Sequence, residues 1–327
     1  MTGIFSAAFD QMLLALFRVF FIILLAGILV RKNIIHKNQI DALSRVTVLV
    51  LLPALVFGNT LQFFDPAKLT YWWILPLLGV ALSLLGLITA YVIFLPRPLQ
   101  QKNLLAIAAM QNAGYLVLPI GQIIYPTQFK TFSLLTFLFI LGYNPVLWTL
   151  GKYLITSTNT STVQIDWRKI ITPPAAANII SLVLVMLGWQ SIFPKPLIDS
   201  IHFLGEAAVP MATFVLGATL GAIVFKEMAS WVEIVKVLSV KYILIPLVVV
   251  VSLWYFKIGI SYPLLADFLV IQSAAAPATG LIIQVRAYGG QQQKVASIML
   301  ITYVFCLIAM PFWIALWHSL NAGFSLL

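Results

Sequence analysis

Runs of apolar residues about 20 long, the length that crosses a hydrocarbon core, recur from one end of the chain to the other and leave no room for a soluble domain. Ten can be delimited, at residues 11–30, 40–62, 71–95, 103–125, 131–155, 172–189, 200–224, 231–256, 261–285 and 294–317, numbered here segments 1 to 10. The pattern predicts an all-α membrane protein of ten transmembrane helices. The polar stretch TSTNTSTVQIDWRKIITPP, from Thr156 to Pro174, is short, so it reads as a linker over 156–171 rather than a domain. It separates a first five-helix unit, residues 1–155, from a second, residues 172–327.

Two segments break the apolar pattern at their middles. Segment 4 reads AIAAMQNAGYLVLPIGQIIY from Ala106, with Gln111, Asn112, Gly114, Tyr115, Pro119 and Gly121 inside it. Segment 9 reads LVIQSAAAPATGLIIQVRAYG from Leu269, with Gln272, Ser273, Pro277, Thr279 and Gly280 in the corresponding place. Proline removes a backbone donor and clashes with the preceding turn, and glycine permits unusual dihedrals, so both segments are predicted to unwind there. Unwound backbone at membrane depth is tolerated only where it is buried in protein or lines a watery cavity. Each break also creates a helix N-terminus facing the protein centre, which offers positive partial charge to an anion such as a carboxylate. Gln111, Asn112 and Gln272 add neutral donors, and the same amides would also satisfy carbonyls freed by the kinks.

The halves resemble each other. PALVFGNTL from Pro53 in segment 2 is echoed by PMATFVLGATL from Pro210 in segment 7, and LPLL around Pro76 in segment 3 by IPLV around Pro246 in segment 8. NPVLWTL from Asn144 in segment 5 has its counterpart in MPFWIAL from Met310 in segment 10. A unit of five spans is odd in number, so its second copy must sit inverted in the membrane, the plan of secondary transporters.

Composition agrees with a lipid solvent: 62% of the 327 residues are hydrophobic, 9% are charged, and the mean hydropathy is +1.04. The net charge of +10 would suit nucleic acid if it were gathered on one face, but the basic residues are scattered between segments. Arg31, Lys32, Lys37, Arg45, Arg97, Lys102, Lys152, Arg168, Lys169, Lys226, Lys236, Arg286 and Lys294 follow odd-numbered segments. Only Lys68, Lys130, Lys195 and Lys257 follow even-numbered ones. The positive-inside rule therefore puts the odd loops in the cytoplasm and both termini outside, with Tyr71, Trp72, Trp73, Tyr125, Trp189, Trp254, Tyr255, Trp313 and Trp317 as an outer aromatic belt. Asp10 and the absence of early Lys or Arg make segment 1 a true span rather than a signal peptide. Cys306 is the single cysteine, so no disulfide framework arises within one chain.

An intramembrane charge is costly and hence a functional candidate. Arg18 in segment 1 is placed to snorkel outward. Lys241, near the middle of segment 8, either snorkels or faces a cavity or partner. Glu206 and Asp267 lie near outer helix ends, where solvation is their commonest fate. Asn144 beside Pro145 in segment 5 either adds a polar group to the site or marks a kink. Gly217 and Gly221 in segment 7 form a small-xxx-small pair that permits close helix contact. A membrane enzyme would need paired acids or a metal cluster; no acidic pair occurs inside a span, and His36, His202 and His318 are far apart. No cofactor or metal is therefore expected. A channel or a solute-sensing receptor is the remaining rival, since polar breaks also line pores.

At these residues the chain resembles the auxin efflux carrier family, which includes bacterial carboxylate permeases and plant PIN-type auxin transporters. The stretches that carry the likeness are GILVRKNIIHKNQIDALSRVTVLVLLPALVF (Gly27 to Phe57), NAGYLVLP from Asn112, LGEAAVPMATFVLGATL from Leu204, and Gln272 through Ala287 to Pro311. The resemblance implies an elevator-type carrier of the inner membrane, commonly a homodimer, that moves a small organic anion such as a carboxylate or an indole acid. Segments 1, 2, 6 and 7 would form its scaffold and segments 3–5 and 8–10 its moving body. It further implies that Asn112 meets the substrate carboxylate and that Pro119 and Pro277 belong to the crossover of segments 4 and 9. Bacterial relatives often carry a GLPL-like run where this chain has Val117 and Leu118 ahead of Pro119.

Overall fold

A computed structural model describes residues 2–96, 98–155, 171–223, 229–288 and 292–322. The linker predicted over 156–171, apart from its last residue, lies outside them, as do Arg97, Arg168, Lys169 and Lys226. The regular elements of the described chain are all helices. Seven helices are long and apolar enough to cross a membrane: Gly3–Arg31, Lys37–Phe63, Ile74–Ile93, Phe129–Ile155, Lys195–Gly221, Trp231–Tyr255 and Lys294–Ala322. They cover segments 1, 2, 3, 5, 7, 8 and 10. Segment 6 is a shorter apolar helix, Pro173–Met186, and segments 4 and 9 are each two short helices with a gap between.

Segment 1 is longer than its apolar run suggests, helical from Thr2 to Arg31, because nothing at its start breaks a helix and Phe5 stacks on Phe9 one turn on. Proline shapes segments 2 and 8. Each contains one wide helical turn, Thr47–Leu51 and Val240–Leu244, two residues before Pro53 and Pro246. A proline cannot donate to the carbonyl four residues back, and that carbonyl, at Leu49 and Tyr242, falls inside the wide turn. Segment 7 is interrupted after Glu206 and resumes at Ala208, three residues before its Met211.

Small residues set the packing. In lipid there is no hydrophobic drive between helices, so contact depends on how closely backbones approach. A side chain at Gly217 would strike the Ile23 backbone, and one at Gly221 would strike Gly27, so segments 1 and 7 meet backbone to backbone. Gly79 and Gly142 do the same between segments 3 and 5, against Phe139 and Pro76, and Gly205 does so between segments 7 and 2, against Leu55. Segment 1 runs along segment 7 and also along segment 10, while segment 6 runs along segment 2. Phe17, Phe21 and Leu24 on segment 1 and Ile179, Ile180 and Val183 on segment 6 are exposed on the outside of the bundle, where lipid is their solvent.

Replacing Gly217 by alanine should lower the melting temperature of the detergent-purified protein, by the equivalent of about 1–3 kcal/mol of overpacking. The same change at Gly3, whose added carbon would meet nothing within 4 Å, should leave it unchanged. Differential scanning fluorimetry of the two variants decides.

Candidate functional site

Segment 4 stops being helical after Ala109 and resumes at Val117; segment 9 stops after Ser273 and resumes at Gly280. The two gaps cross and pair. Asn112 N donates to Ala276 O at 2.7 Å and Ala278 N donates to Met110 O at 3.2 Å, a short antiparallel bridge centred on Gln111 and Pro277. Proline fits opposite Gln111 because the bridge takes its N–H groups from the residues on either side. Each gap thus supplies the backbone partners that the other lost.

Side chains complete the satisfaction. Tyr143 in segment 5 donates its hydroxyl to Gln111 O at 2.6 Å. Tyr303 in segment 10 accepts from Asn112 Nδ2 at 2.7 Å and donates to Pro277 O at 3.1 Å, so one hydroxyl ties the two gaps together. Gln272 donates to Ala113 O at 3.1 Å. Lys241 Nζ donates to Met110 O at 3.2 Å and is 1% exposed, so it does not snorkel. Gln284 ties the second half of segment 9 to segment 5 through Leu147 O.

Beside the crossing lies a cavity of about 250 Å³. Gln111, Asn112, Gly114, Tyr115, Asn144, Thr279 and Gly280 all line it, from segments 4, 5 and 9. The facing wall comes from Ser44 and Val48 of segment 2, Asn178 of segment 6, and Ala212, Val215 and Thr219 of segment 7. The predicted residues divide accordingly. Gln272 and Ser273 are buried off the cavity, the first bracing segment 4 and the second bonded to Val270 O of its own helix. Pro119 lies inside the half-helix Val117–Ile124, in its first turn, rather than in the gap, where a missing N–H costs nothing. Pro277 is in the gap, paired with Gln111. Both second half-helices start at the crossing, so their N-termini do face the protein centre.

Two buried side-chain nitrogens on the cavity wall have no partner, Gln111 Nε2 and Asn178 Nδ2. Asn178 was not singled out by sequence; an asparagine in the otherwise apolar run ANIISLVLV was the available signal. Tyr143 and Tyr303 were missed as well, since tyrosine is unremarkable in a membrane segment until its hydroxyl is seen to have a partner. Asp267 is more than an interfacial solvated acid: it accepts from Tyr125 at 2.8 Å and Trp317 at 2.9 Å, with His318 Nε2 at 3.2 Å. Glu206 keeps 61% of its side chain exposed beside His202, and Arg18 is on the outer surface of the bundle.

Residues 11–314 match the membrane transport protein family. The chain belongs to that family. It is the family of the auxin efflux carriers, a family of transport proteins rather than enzymes. Among curated proteins, it is similar to Protein PIN-LIKES 3 of Arabidopsis thaliana, 26% identical over 161 residues, covering 46% of this chain and 41% of that protein. Protein PIN-LIKES 4 of the same plant is 27% identical over 167 residues, 46% of this chain and 40% of that one. Protein PIN-LIKES 7 is 26% identical over 164 residues, 47% and 41% respectively. The matches thus span about two fifths of these relatives' length.

Because the Tyr303 hydroxyl holds both gaps, Tyr303→Phe leaves two buried groups without it. The variant should lose stability equivalent to about 1–2 kcal/mol, read as a lower melting temperature in detergent; an unchanged value would mean that the crossing does not depend on that bridge.

Proposed function

We propose that this transporter is a secondary carrier of a small organic anion, a carboxylate or an auxin-like indole acid, which it binds in the cavity at the crossing of segments 4 and 9. The observation that carries the reading is the cavity's two walls. One is built from segments 4, 5 and 9, the other from segments 2, 6 and 7, so sliding one group against the other moves a bound solute relative to the membrane. That is elevator-type alternating access, with segments 1, 2, 6 and 7 as a scaffold, in ten spans arranged as two inverted repeats. The packing of segment 1 on segment 7 and of segment 6 on segment 2 supports this repeat, because the first two helices of each half then pack across onto the other half.

Several features favour an anion. The half-helices beginning at Val117 and Gly280 direct N-termini to the cavity, and such termini carry positive partial charge. The lining residues include no Asp or Glu, so nothing on the wall repels a carboxylate. Gln111 Nε2 and Asn178 Nδ2 are buried donors without a partner, one on each wall, and a solute oxygen would satisfy them. Asn112 reaches the cavity with its nitrogen already bonded to Tyr303, which leaves it oriented rather than free. Most of the rest of the wall is apolar, from Leu52, Phe137, Ile140, Leu147 and Val215, which suits a solute with a hydrocarbon or aromatic body.

The cavity lies toward the helix ends that adjoin the basic loops, near Ser44, Trp148, Thr172 and Thr219. With both termini outside and the odd loops in the cytoplasm of a cell with an inner membrane, this is the inward-facing arrangement. Two copies associating through their scaffolds would leave the moving bodies free, in keeping with a homodimer.

A thermal-shift screen of the purified protein against mono- and dicarboxylates and indole acids should find a stabilising ligand, since a ligand stabilises the state it binds. Asn112→Ala should still fold, with a modest loss of stability because it ends the bond to Tyr303, and should bind that ligand at least about tenfold more weakly. No stabilisation by any carboxylate, or unchanged affinity in Asn112→Ala, would contradict the assignment.

A further inference from the structure

Lys241 is the charged group the site description leaves unexplained. It is 1% exposed, at the middle of a membrane-crossing helix, inside the wide turn Val240–Leu244. Among the described residues it pairs with no carboxylate. Its one hydrogen bond goes to Met110 O, the carbonyl that also receives Ala278 N and that immediately precedes cavity-lining Gln111.

The groups around it carry no counter-charge. On the Gln292–Ala322 helix the neighbouring titratable side chains are Tyr303 and Cys306, and next to Lys241 itself stands Tyr242, whose hydroxyl is given to Thr302 O. The segment 3 helix, Ile74–Ile93, packs against the wide turn and offers only Tyr91, exposed on the outside. The half-helix Lys102–Ala109 offers only Lys102, at its far end. Along segment 8, Glu233 is paired with Lys294, and Lys236 and Tyr255 lie toward the ends of the helix. His318 is engaged by Asp267 at the opposite end of segment 10.

An unpaired ammonium in such surroundings is costly and an amine is not. A carboxylate bound beside Gln111, the residue next to the carbonyl that holds Nζ, would remove much of that cost. Anion binding and protonation of Lys241 must then favour each other, since coupling between two sites is reciprocal. We propose that Lys241 is the proton-carrying group of this transporter: the anion enters at the crossing together with one proton on Lys241 Nζ, so that the loaded moving body crosses the membrane electrically neutral. Proton coupling usually calls for a buried carboxylate; here an amine that has no counter-charge among the described residues does the same, with the solute as its counter-ion. The proton is drawn from water on the side where the anion enters and returned on the side where it leaves, and no bond other than Nζ–H changes. The inference rests on the anion reading of the same cavity.

The test measures proton uptake directly. Detergent-purified protein is titrated with butyrate and with indole-3-acetate by calorimetry, in two buffers of different ionisation enthalpy, between about pH 6 and pH 9. Wild type should take up protons on binding, approaching about one per carboxylate at the alkaline end, and its affinity should fall there by up to about tenfold per pH unit. Lys241→Arg, whose charge is fixed, should bind with no proton uptake and no such slope. Lys241→Met should bind at least about tenfold more weakly and also without uptake. Binding by wild type without proton uptake, or uptake in Lys241→Arg equal to wild type, overturns the inference and leaves the anion reading standing. Failure of both carboxylates to bind overturns both.

Discussion

A backbone N–H or carbonyl exposed to hydrocarbon costs several kcal/mol, and among the described residues segments 4 and 9 each leave the helix over a gap of more than one turn inside the membrane-crossing bundle. Everything around the site follows from how those groups are satisfied. Asn112 N with Ala276 O and Ala278 N with Met110 O make each gap the partner of the other. Tyr143, Tyr303 and Gln272 then donate to carbonyls that the bridge leaves over, at Gln111, Pro277 and Ala113, and Lys241 adds a second donor to Met110 O. The crossing is rigid because so many elements hold it: segments 4, 5, 8, 9 and 10 each contribute a bond. Rigid groups beside a cavity are what a binding site needs, because they meet a solute without being reordered first.

The cavity and the close-packed seams divide the bundle between them. Where backbones touch, at Gly217 and Gly221 against segment 1 or at Gly79 and Gly142 between segments 3 and 5, there is no room for a solute. The cavity occurs instead where segments 4, 5 and 9 face segments 2, 6 and 7, and there the wall is mostly apolar with polar groups at few points. A carrier that slides requires such a division, with firm contact inside each group and a looser, solute-sized face between them. Gln111 Nε2 and Asn178 Nδ2, left without partners on opposite walls, are the groups a solute would bridge.

Much of this was legible in the residues. Apolar runs located the helices, most of them to within about five positions, although segment 1 begins at Thr2 rather than at residue 11, and Pro277 with Gly280 marked the second gap. Pro119 misled by a few residues: it stands in the first turn of the resumed helix, a position proline tolerates, and the gap lies ahead of it at Met110 to Leu116. The pairing of the gaps was not legible, because Gln111 and Pro277 are 166 residues apart and a local pattern carries no information about such a contact. For the same reason Lys241 could be flagged as an odd charge but not assigned to Met110, and Tyr303 could not be told from any membrane tyrosine. Gln272 was read as a donor to solute; its nitrogen instead serves Ala113 O, one of the two roles an amide at a kink can take.

A cryo-EM map of the protein in lipid nanodiscs with a saturating carboxylate, at a resolution that shows side chains, tests the account most directly. It should show segments 4 and 9 interrupted at residues 110–116 and 274–279, crossing one another, with ligand density between Asn112 and Asn178. Continuous helices through both segments, or ligand density only elsewhere in the bundle, would contradict it.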